Sequence, residues 1–247
     1  MASATLALPG SGKAITYLSG AIVPAALSVR PDFGVLFNPY MGNNPSNLGV
    51  FALDNGVFSE WQAQLKGKSK PFSMSRFLAL LDKWSHLRDQ ALFAAAPDVV
   101  GDWRATIARS LPILPVIRDL GYKAAFVAQN GLEHHLSKIP WSAFDVLFLG
   151  GGPESHFVSK ANRMGEWKLT SGARRLCELA LRKGKTVHMG RVNSGMRLGI
   201  AQDFGCASAD GTCIARHPKG PRVATAEVIS WLDRLNGPAF APQGALA

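Results

Sequence analysis

Residues 124–150, AAFVAQNGLEHHLSKIPWSAFDVLFLG, contain two short apolar runs separated by a helix-like segment. The runs, Ala124–Gln129 and Val146–Gly150, both end in small or polar residues. Continuous apolar strands that alternate with helices are typical of parallel strands whose outer face is covered. The stretch therefore predicts one unit of a parallel α/β sheet.

The same rhythm extends along the 247-residue chain. Eight runs are predicted as strands: Ile15–Ser19, Val35–Asn38, Val50–Asp54, Leu92–Asp98, Ala124–Gln129, Val146–Gly150, Thr186–Arg191 and Cys206–Asp210. Helical patterns lie at Ser73–Arg88, Arg104–Leu120, Leu132–Ser137, Ser171–Lys183, Ser194–Phe204 and Val223–Leu235. Pro112 and Pro115 should interrupt the second of these helices.

Eight such strands predict an α/β fold, a single-domain (β/α)₈ TIM-type barrel. A doubly wound open sheet is the alternative, because the first three strands are joined by loops too short for ordinary helices. Within the chain we expect a flexible N-terminus over residues 1–13, the barrel over 14–237 and a disordered tail over 238–247.

The composition excludes several classes of protein. Apolar residues make up 47% of the chain and charged residues only 18%, which argues against a mainly disordered protein. No run of eighteen apolar residues predicts a membrane span, and no basic segment precedes the first apolar residues as in a secretory signal. The three cysteines form no Cys-x-x-Cys pair, which argues against a disulfide framework and a four-cysteine zinc site. We therefore expect a reduced, cytoplasmic protein.

The charge is strongly positive. Lysine and arginine total 27 against 17 aspartate and glutamate residues, a net charge of +10. Such an excess favours a polyanionic partner such as a nucleic acid. A basic surface that serves only solubility is the alternative.

Polar residues and glycines follow the predicted strands at their carboxyl ends, where TIM-barrel active sites lie. They are Asp54, Asp98, Gln129, Gly150, Gly151, Gly152, Gly190, Arg191 and Asp210. Any one of them could be a simple turn former. Their shared position predicts a site.

Three residues have two interpretations each, and a fourth has a structural one. His188, within an apolar strand, could bind substrate or be a structural residue. Arg191 could bind a phosphate or the carboxylate of a nucleophile, or form a surface salt bridge. Phe58 could stack on a purine or belong to the core. Asp102 is better explained as the N-cap of the following helix.

Five segments together resemble the tRNA-guanine transglycosylase superfamily, and more closely its short, phage-associated branch, the deazapurine DNA modification transglycosylases. In chain order they are Leu53–Phe58 (LDNGVF), Val127–Gly131 (VAQNG), Leu149–Gly152 (LGGG), His188–Arg191 (HMGR) and Gly205–Gly211 (GCASADG). The resemblance covers roughly residues 17–212. It implies exchange of guanine for a 7-deazaguanine, such as preQ0, through a covalent glycosyl–enzyme intermediate. A phage-encoded enzyme in the host cytoplasm would fit it.

The resemblance also implies roles for individual residues. Asp210 matches the nucleophile and Asp54 the general acid/base. Asp98 and Gln129 match residues that read the hydrogen-bonding edge of the purine. Gly151 and Gly152 match glycines whose backbone approaches the base, and we add Phe58, His188, Gly190 and Arg191 as candidate substrate-binding residues.

These roles agree with the chemistry of the side chains. Base exchange at an anomeric carbon passes through an oxocarbenium-like state that a carboxylate can trap covalently. A second carboxyl group must move protons on the two bases. Guanine offers N–H donors that suit Asp98 and the acceptor O6 that suits the Gln129 amide.

The chain departs from the family in three places. The tRNA enzymes carry a zinc site of three cysteines and a histidine, and Cys213 alone cannot build it, so we predict no metal and no cofactor. Ala207 stands where close relatives have an aspartate. An insertion at residues 153–165 separates the glycines from Glu166-Trp167-Lys168-Leu169, and it is either a substrate-contacting loop or a surface insertion.

The sequence therefore predicts a pentosyltransferase that exchanges guanine for a 7-deazaguanine in DNA. Its partners would be DNA and the free 7-deazaguanine base, with no membrane and an oligomeric state that the sequence does not indicate. A tRNA-guanine transglycosylase, a nucleoside hydrolase on the same fold and a non-catalytic nucleic-acid-binding barrel are the alternatives.

Overall fold

A computed structural model describes residues 13–20, 23–41, 49–68, 71–152 and 166–237. Eight parallel strands form a closed barrel in which each strand pairs with its neighbours in sequence and β8 pairs with β1. They are β1 (Thr16–Ser19), β2 (Phe33–Phe37), β3 (Val50–Leu53), β4 (Ala91–Ala95), β5 (Ala124–Ala128), β6 (Val146–Leu149), β7 (Thr186–Met189) and β8 (Ser208–Gly211). The predicted α/β barrel is confirmed, and all eight strands lie within a few residues of their predicted bounds.

Helices surround the barrel in the part of the chain that the structure describes. They are α1 (Ala25–Ser28), α2 (Val57–Leu65), α3 (Met74–Lys83), α4 (Trp103–Ser110), α5 (Leu114–Asp119), α6 (Ser171–Arg182), α7 (Gly195–Asp203), α8 (Cys213–Arg216) and α9 (Pro221–Asn236). Short 3₁₀ helices cover Ser85–Gln90, Leu132–His134, Leu136–Lys138 and Trp167–Leu169. None of the helices in these ranges is long and apolar enough to cross a membrane.

Three predicted helices differ from the observed ones. The segment Arg104–Leu120 is divided into α4 and α5 at Pro112, because proline cannot donate the helical hydrogen bond. The segment Ser73–Arg88 changes from α-helix to 3₁₀ helix after Lys83, and Leu132–Ser137 forms two 3₁₀ turns. Helices α1, α2 and α8 were not predicted.

Side chains of each strand alternate between the inside of the barrel and the surrounding helices. Nine apolar inward side chains form one cluster, which we call the barrel plug: Leu18, Leu36, Ala52, Phe93, Ala95, Ala125, Val127, Val146 and Phe148. The outward side chains, such as Phe51, Phe126 and Leu147, pack in a larger cluster with the helices. The barrel is therefore filled by a packed core and is not a pore.

The same alternation brings the polar strand ends together. Inward positions follow one another at intervals of two, so Asp54 follows Ala52, Gln129 follows Val127 and Gly150 follows Phe148. These residues all lie just beyond the plug on the carboxyl side of the strands. The predicted insertion 153–165, the tail 238–247 and residues 1–12 of the predicted flexible start lie outside the described residues.

Candidate active site

A cavity of about 380 Å³ opens at the carboxyl ends of the strands. Eight of the ten residues with a role predicted from the sequence line it, and so does Gly150. The eight are Asp54, Phe58, Asp98, Gln129, Gly151, Gly190, Arg191 and Asp210. The other two, Gly152 and His188, do not. The backbone N–H of Gly152 donates to Asn130 Oδ1 at 2.8 Å, and His188 is fully buried beneath the cavity.

Asp210 projects from β8 and is 7% exposed. Its Oδ1 lies 3.0 Å from Nε2 of His188, and its Oδ2 accepts the backbone N–H of Arg191 at 3.3 Å. A Cβ on Gly190 would lie 3.3 Å from Oδ1 and 2.6 Å from the Phe148 ring, so glycine leaves room for the carboxylate at this point. Asp210 is therefore a fixed carboxylate with one side open to the cavity.

Asp54 follows β3 and is half-buried at the cavity wall. Its Oδ2 accepts the backbone N–H of Gly56 at 3.2 Å. Burial raises the pKa of Asp54 to about 7, and the negative charges of Asp210 and Asp98 add to the effect. Near neutral pH this carboxyl can therefore both give and take a proton, as a general acid/base requires.

Asp98 is held by two carboxamides. Asn55 Nδ2 donates to Oδ1 at 2.9 Å, and Gln129 Nε2 donates to Oδ2 at 2.6 Å. Burial raises the pKa of Asp98 to about 6, partly offset by the hydrogen bond from Asn55. Gln129 Oε1 in turn accepts the backbone N–H of Gly101 at 2.8 Å. Both polar ends of the Gln129 amide thus make protein contacts, which leaves one N–H and one oxygen lone pair for a ligand.

Arg191 places a positive charge among these carboxylates. Its Nη2 donates to the carbonyls of Gly150 and Gly151 at 3.2 and 2.6 Å, and its guanidinium lies 4.9 Å from the centre of the Phe58 ring. Its φ of 57° is the positive value of a non-glycine residue, a conformation that L-residues adopt at a cost in strain. The turn it makes aims its backbone N–H at Asp210.

An ion network around the buried Lys168 supports that turn. Lys168 is 2% exposed, and its Nζ hydrogen-bonds the carbonyl of Gly190 and lies 3.2 Å from Glu166. Glu166 also pairs with Arg197 at 2.7 Å. Burial and the nearby charge of Arg191 lower the pKa of Lys168 to about 8. The Glu166-Trp167-Lys168 element, displaced along the chain by the insertion, thus lies next to the site.

The glycines near the cavity have a structural reason to be glycine. Gly151 has a φ of +64°, and a Cβ there would lie 2.9 Å from the Trp167 ring and 3.0 Å from Asn130 Oδ1. A side chain at Gly151 would therefore collide and strain the backbone.

Several cavity residues were not predicted. They are Gly20, Leu36, Asn38, Asn55, Ser59, Gln62, Val100, Val127, Phe148, Asn193, Thr212 and Arg216. Asn55 is the one with the clearest sequence signal, because it stands beside Asp54 at the same strand end. Asn38 and Thr212 follow from the alternation of inward positions, two residues after Leu36 and Asp210.

The arrangement is suited to proton transfer and nucleophilic attack by carboxylates. It combines a hydrogen-bonded carboxylate, a carboxyl group with a pKa of about 7 and a third carboxylate held by amides. In the described ranges, no three His, Cys, Asp or Glu side chains are grouped so as to hold a metal ion.

The chain matches no family model and no curated protein. Among solved structures it is similar to the PaMucR phosphodiesterase in complex with c-di-GMP, with 13% identity and a TM-score of 0.39. The match covers 68% of this chain and 61% of that one, so the chain spans less than two thirds of the length of that structure. A likeness at this level supports no inference about activity.

Proposed function

We propose that the chain is a base-exchanging transglycosylase that replaces guanine in DNA with a 7-deazaguanine such as preQ0. The observation that carries the proposal is the pair of carboxyl groups in one cavity with opposite environments. Asp210 accepts two hydrogen bonds, from His188 and from the backbone N–H of Arg191, whereas burial raises the pKa of Asp54 to about 7. Such a difference between two carboxyl groups is how one site supplies both a nucleophile and an acid.

The first half-reaction breaks the bond between the sugar and guanine. An oxygen of Asp210 donates an electron pair to C1′, and the C1′–N9 bond breaks with its electron pair passing to the base. Asp54 gives its proton to the departing guanine and becomes a carboxylate. The sugar is then held on Asp210 as a glycosyl ester.

The second half-reaction is the reverse with a different base. Asp54 takes the proton from N9 of the incoming 7-deazaguanine, whose freed electron pair attacks C1′. The ester bond breaks, and Asp210 leaves as a carboxylate. Two displacements at C1′ retain its configuration, and both catalytic carboxyl groups end in their starting states.

Base selection fits the remaining carboxylate. Guanine and 7-deazaguanines share N1–H and N2–H₂ donors, and an ionised Asp98 can accept them. A cavity of about 380 Å³ is within the range of roughly 300–1,000 Å³ that small-molecule sites occupy. The base must leave the DNA stack to enter it, so a flipped or single-stranded nucleotide is the substrate.

The choice of a polymer rests on charge, and the choice of DNA rests on the resemblance. The net charge of +10 favours a partner with many phosphates over a free nucleoside.

The experiment is nucleoside mass spectrometry of DNA and tRNA after incubation with the protein and preQ0. We expect the deazaguanosine in DNA alone, and none with Asp210→Asn, which keeps the side-chain volume but removes the anion. That variant should still bind DNA, because the phosphate contacts remain. Product in tRNA alone would move the assignment to the tRNA enzymes. Absence of product from both nucleic acids, with DNA binding retained, would favour the non-catalytic barrel.

A further inference from the structure

His188 lies directly beneath the cavity and is 0% exposed. It projects inward from β7 and packs against two rings of the barrel interior, with centroid distances of 4.8 Å to Phe93 and 4.4 Å to Phe148. Its Nδ1 lies 2.8 Å from Ser208 Oγ and its Nε2 lies 3.0 Å from Asp210 Oδ1. Both ring nitrogens thus have a partner on β8.

Packing alone does not account for a histidine at this position. The two rings that it contacts, Phe93 and Phe148, belong to the apolar barrel plug, where an apolar ring would pack as well. Burying an imidazole among them costs free energy unless both nitrogens are hydrogen-bonded. The two partners, Ser208 and Asp210, meet that requirement because they are alternate residues of one strand and both project inward.

The chemistry of the partners sets the direction of the hydrogen bonds. An ionised carboxylate can only accept, so the proton of the contact with Asp210 must lie on Nε2. Nδ1 of a neutral ring is then an acceptor, and the Ser208 hydroxyl donates to it. The chain of donors therefore runs from Ser208 through His188 to Asp210.

The contact distinguishes the two oxygens of Asp210. Oδ1 accepts from the buried imidazole at 3.0 Å, whereas Oδ2 accepts the backbone N–H of Arg191 at the longer distance of 3.3 Å. A carboxylate held by one oxygen cannot rotate freely, which removes an entropic cost from an attack by the other. The same bond stabilises the carboxylate when it leaves.

We infer that His188 is a positioning residue that, from its Nε2–H tautomer, holds Oδ1 of Asp210 and leaves Oδ2 as the attacking oxygen. The inference rests on the proposed function for the attack itself. The tautomer and the hydrogen bond stand independently of it.

The kinetic test compares His188→Phe with His188→Gln. Phenylalanine fills the space without a donor, and glutamine restores an N–H near the Nε2 position. We expect His188→Phe to lower kcat by about 10²-fold, as for a misplaced reacting group, with KM for DNA and the far-ultraviolet circular dichroism unchanged. His188→Gln should recover at least tenfold of that loss. A kcat within twofold of wild type for folded His188→Phe would overturn the inference.

Nitrogen-15 NMR of the imidazole tests the geometry without any turnover. We expect a protonated Nε2 and a bare Nδ1 in the wild type, with Ser208→Ala relaxing this preference. An Nδ1–H tautomer in the wild type contradicts the inference whatever the activity. If the wild type exchanges no base but shows the Nε2–H signal that Asp210→Ala shifts, the proposed function fails while the hydrogen-bonded arrangement stands.

Discussion

The three carboxylates of the cavity differ because of their surroundings. Asp210 accepts from an imidazole and a backbone N–H, Asp98 accepts from two carboxamides, and Asp54 accepts the backbone N–H of Gly56 at 3.2 Å. Of the two whose pKa is raised, Asp54, with less support for its charge, reaches the higher value, about 7 against about 6 for Asp98. The three carboxyl groups are chemically the same, but their different surroundings suit them to different roles.

Under the proposed function, these two pKa values predict a bell-shaped pH dependence of kcat/KM for base exchange. Asp98 must be ionised to accept the donors of guanine, so activity should rise through pH of about 6. Asp54 must be protonated to release guanine, so activity should fall above about 7. Initial rates measured from pH 5 to pH 9 check this, with Asp54→Asn as the variant that should lose the descending limb together with most activity. A profile that stays flat between pH 5 and pH 9 would contradict both assignments.

That the candidate site residues lie close together could be predicted from the sequence, but their contacts could not. The rule that barrel sites lie at strand ends selected Asp54, Asp98, Gln129 and Asp210, and all four line one cavity. The sequence did not indicate that Gln129 binds Asp98. The two residues follow the neighbouring strands β4 and β5, and the register between those strands determines whether their side chains meet. The prediction that Gln129 reads the base stays a prediction.

At the level of elements, strands were easier to predict than helices. Parallel barrel strands are buried on both faces, so an uninterrupted apolar run marks each of them. Helix α2 lacks such a sequence signal. It begins after Gly56 with no side-chain cap, and Val57 is its one buried residue. Helix α4 begins with a clear signal, since Asp102 accepts the backbone N–H of Ala105 at 3.0 Å as the sequence predicts.

That cap allows a test of the element alone. We expect Asp102→Ala to lower the free energy of unfolding by about 1 kcal/mol, because it leaves an N–H of the first turn of α4 without its acceptor. Asp102→Asn is the matched control, since asparagine caps nearly as well. Urea unfolding of the three proteins measures the difference. Equal losses in both variants would show that charge, and not the cap, is what Asp102 contributes.

The whole molecule is closed at the end opposite the cavity by a buried polar cluster. Arg30 makes a two-pronged contact with Asp32 at 2.8 and 2.9 Å and reaches Asp233 of α9 at 2.7 Å. Asn236 of α9 donates to Asp32 and exchanges hydrogen bonds with the backbone of Ile15, just before β1. The last helix is thereby fastened to the start of the first two strands, close to where β1 and β8 close the barrel.

Breaking this polar cluster should lower the free energy of unfolding without changing the activity of the folded protein. Arg30 and Asp32 are 3% and 2% exposed. Asp32→Ala removes the buried carboxylate that pairs with the Arg30 guanidinium, and it should lower the free energy of unfolding by about 3–5 kcal/mol. Denaturant unfolding measures the loss. Asp203→Ala is the control, because Asp203 is 59% exposed in its pair with Arg174 and such pairs are worth less than about 1 kcal/mol. Activity per folded molecule should be unchanged in both, and a selective loss of activity in Asp32→Ala would contradict this separation.

The barrel plug has a consequence for the order of events. Nine apolar side chains fill the barrel beneath the cavity, so the cavity is closed at its inner end. Under the proposed function, guanine must leave before 7-deazaguanine can enter, because both bases pass through the same opening of the cavity. After guanine has left and before the second base binds, the glycosyl ester lies beside an empty base site, where water can attack in place of the second base. The supply of 7-deazaguanine would then decide whether the DNA receives a new base or is left with an abasic sugar.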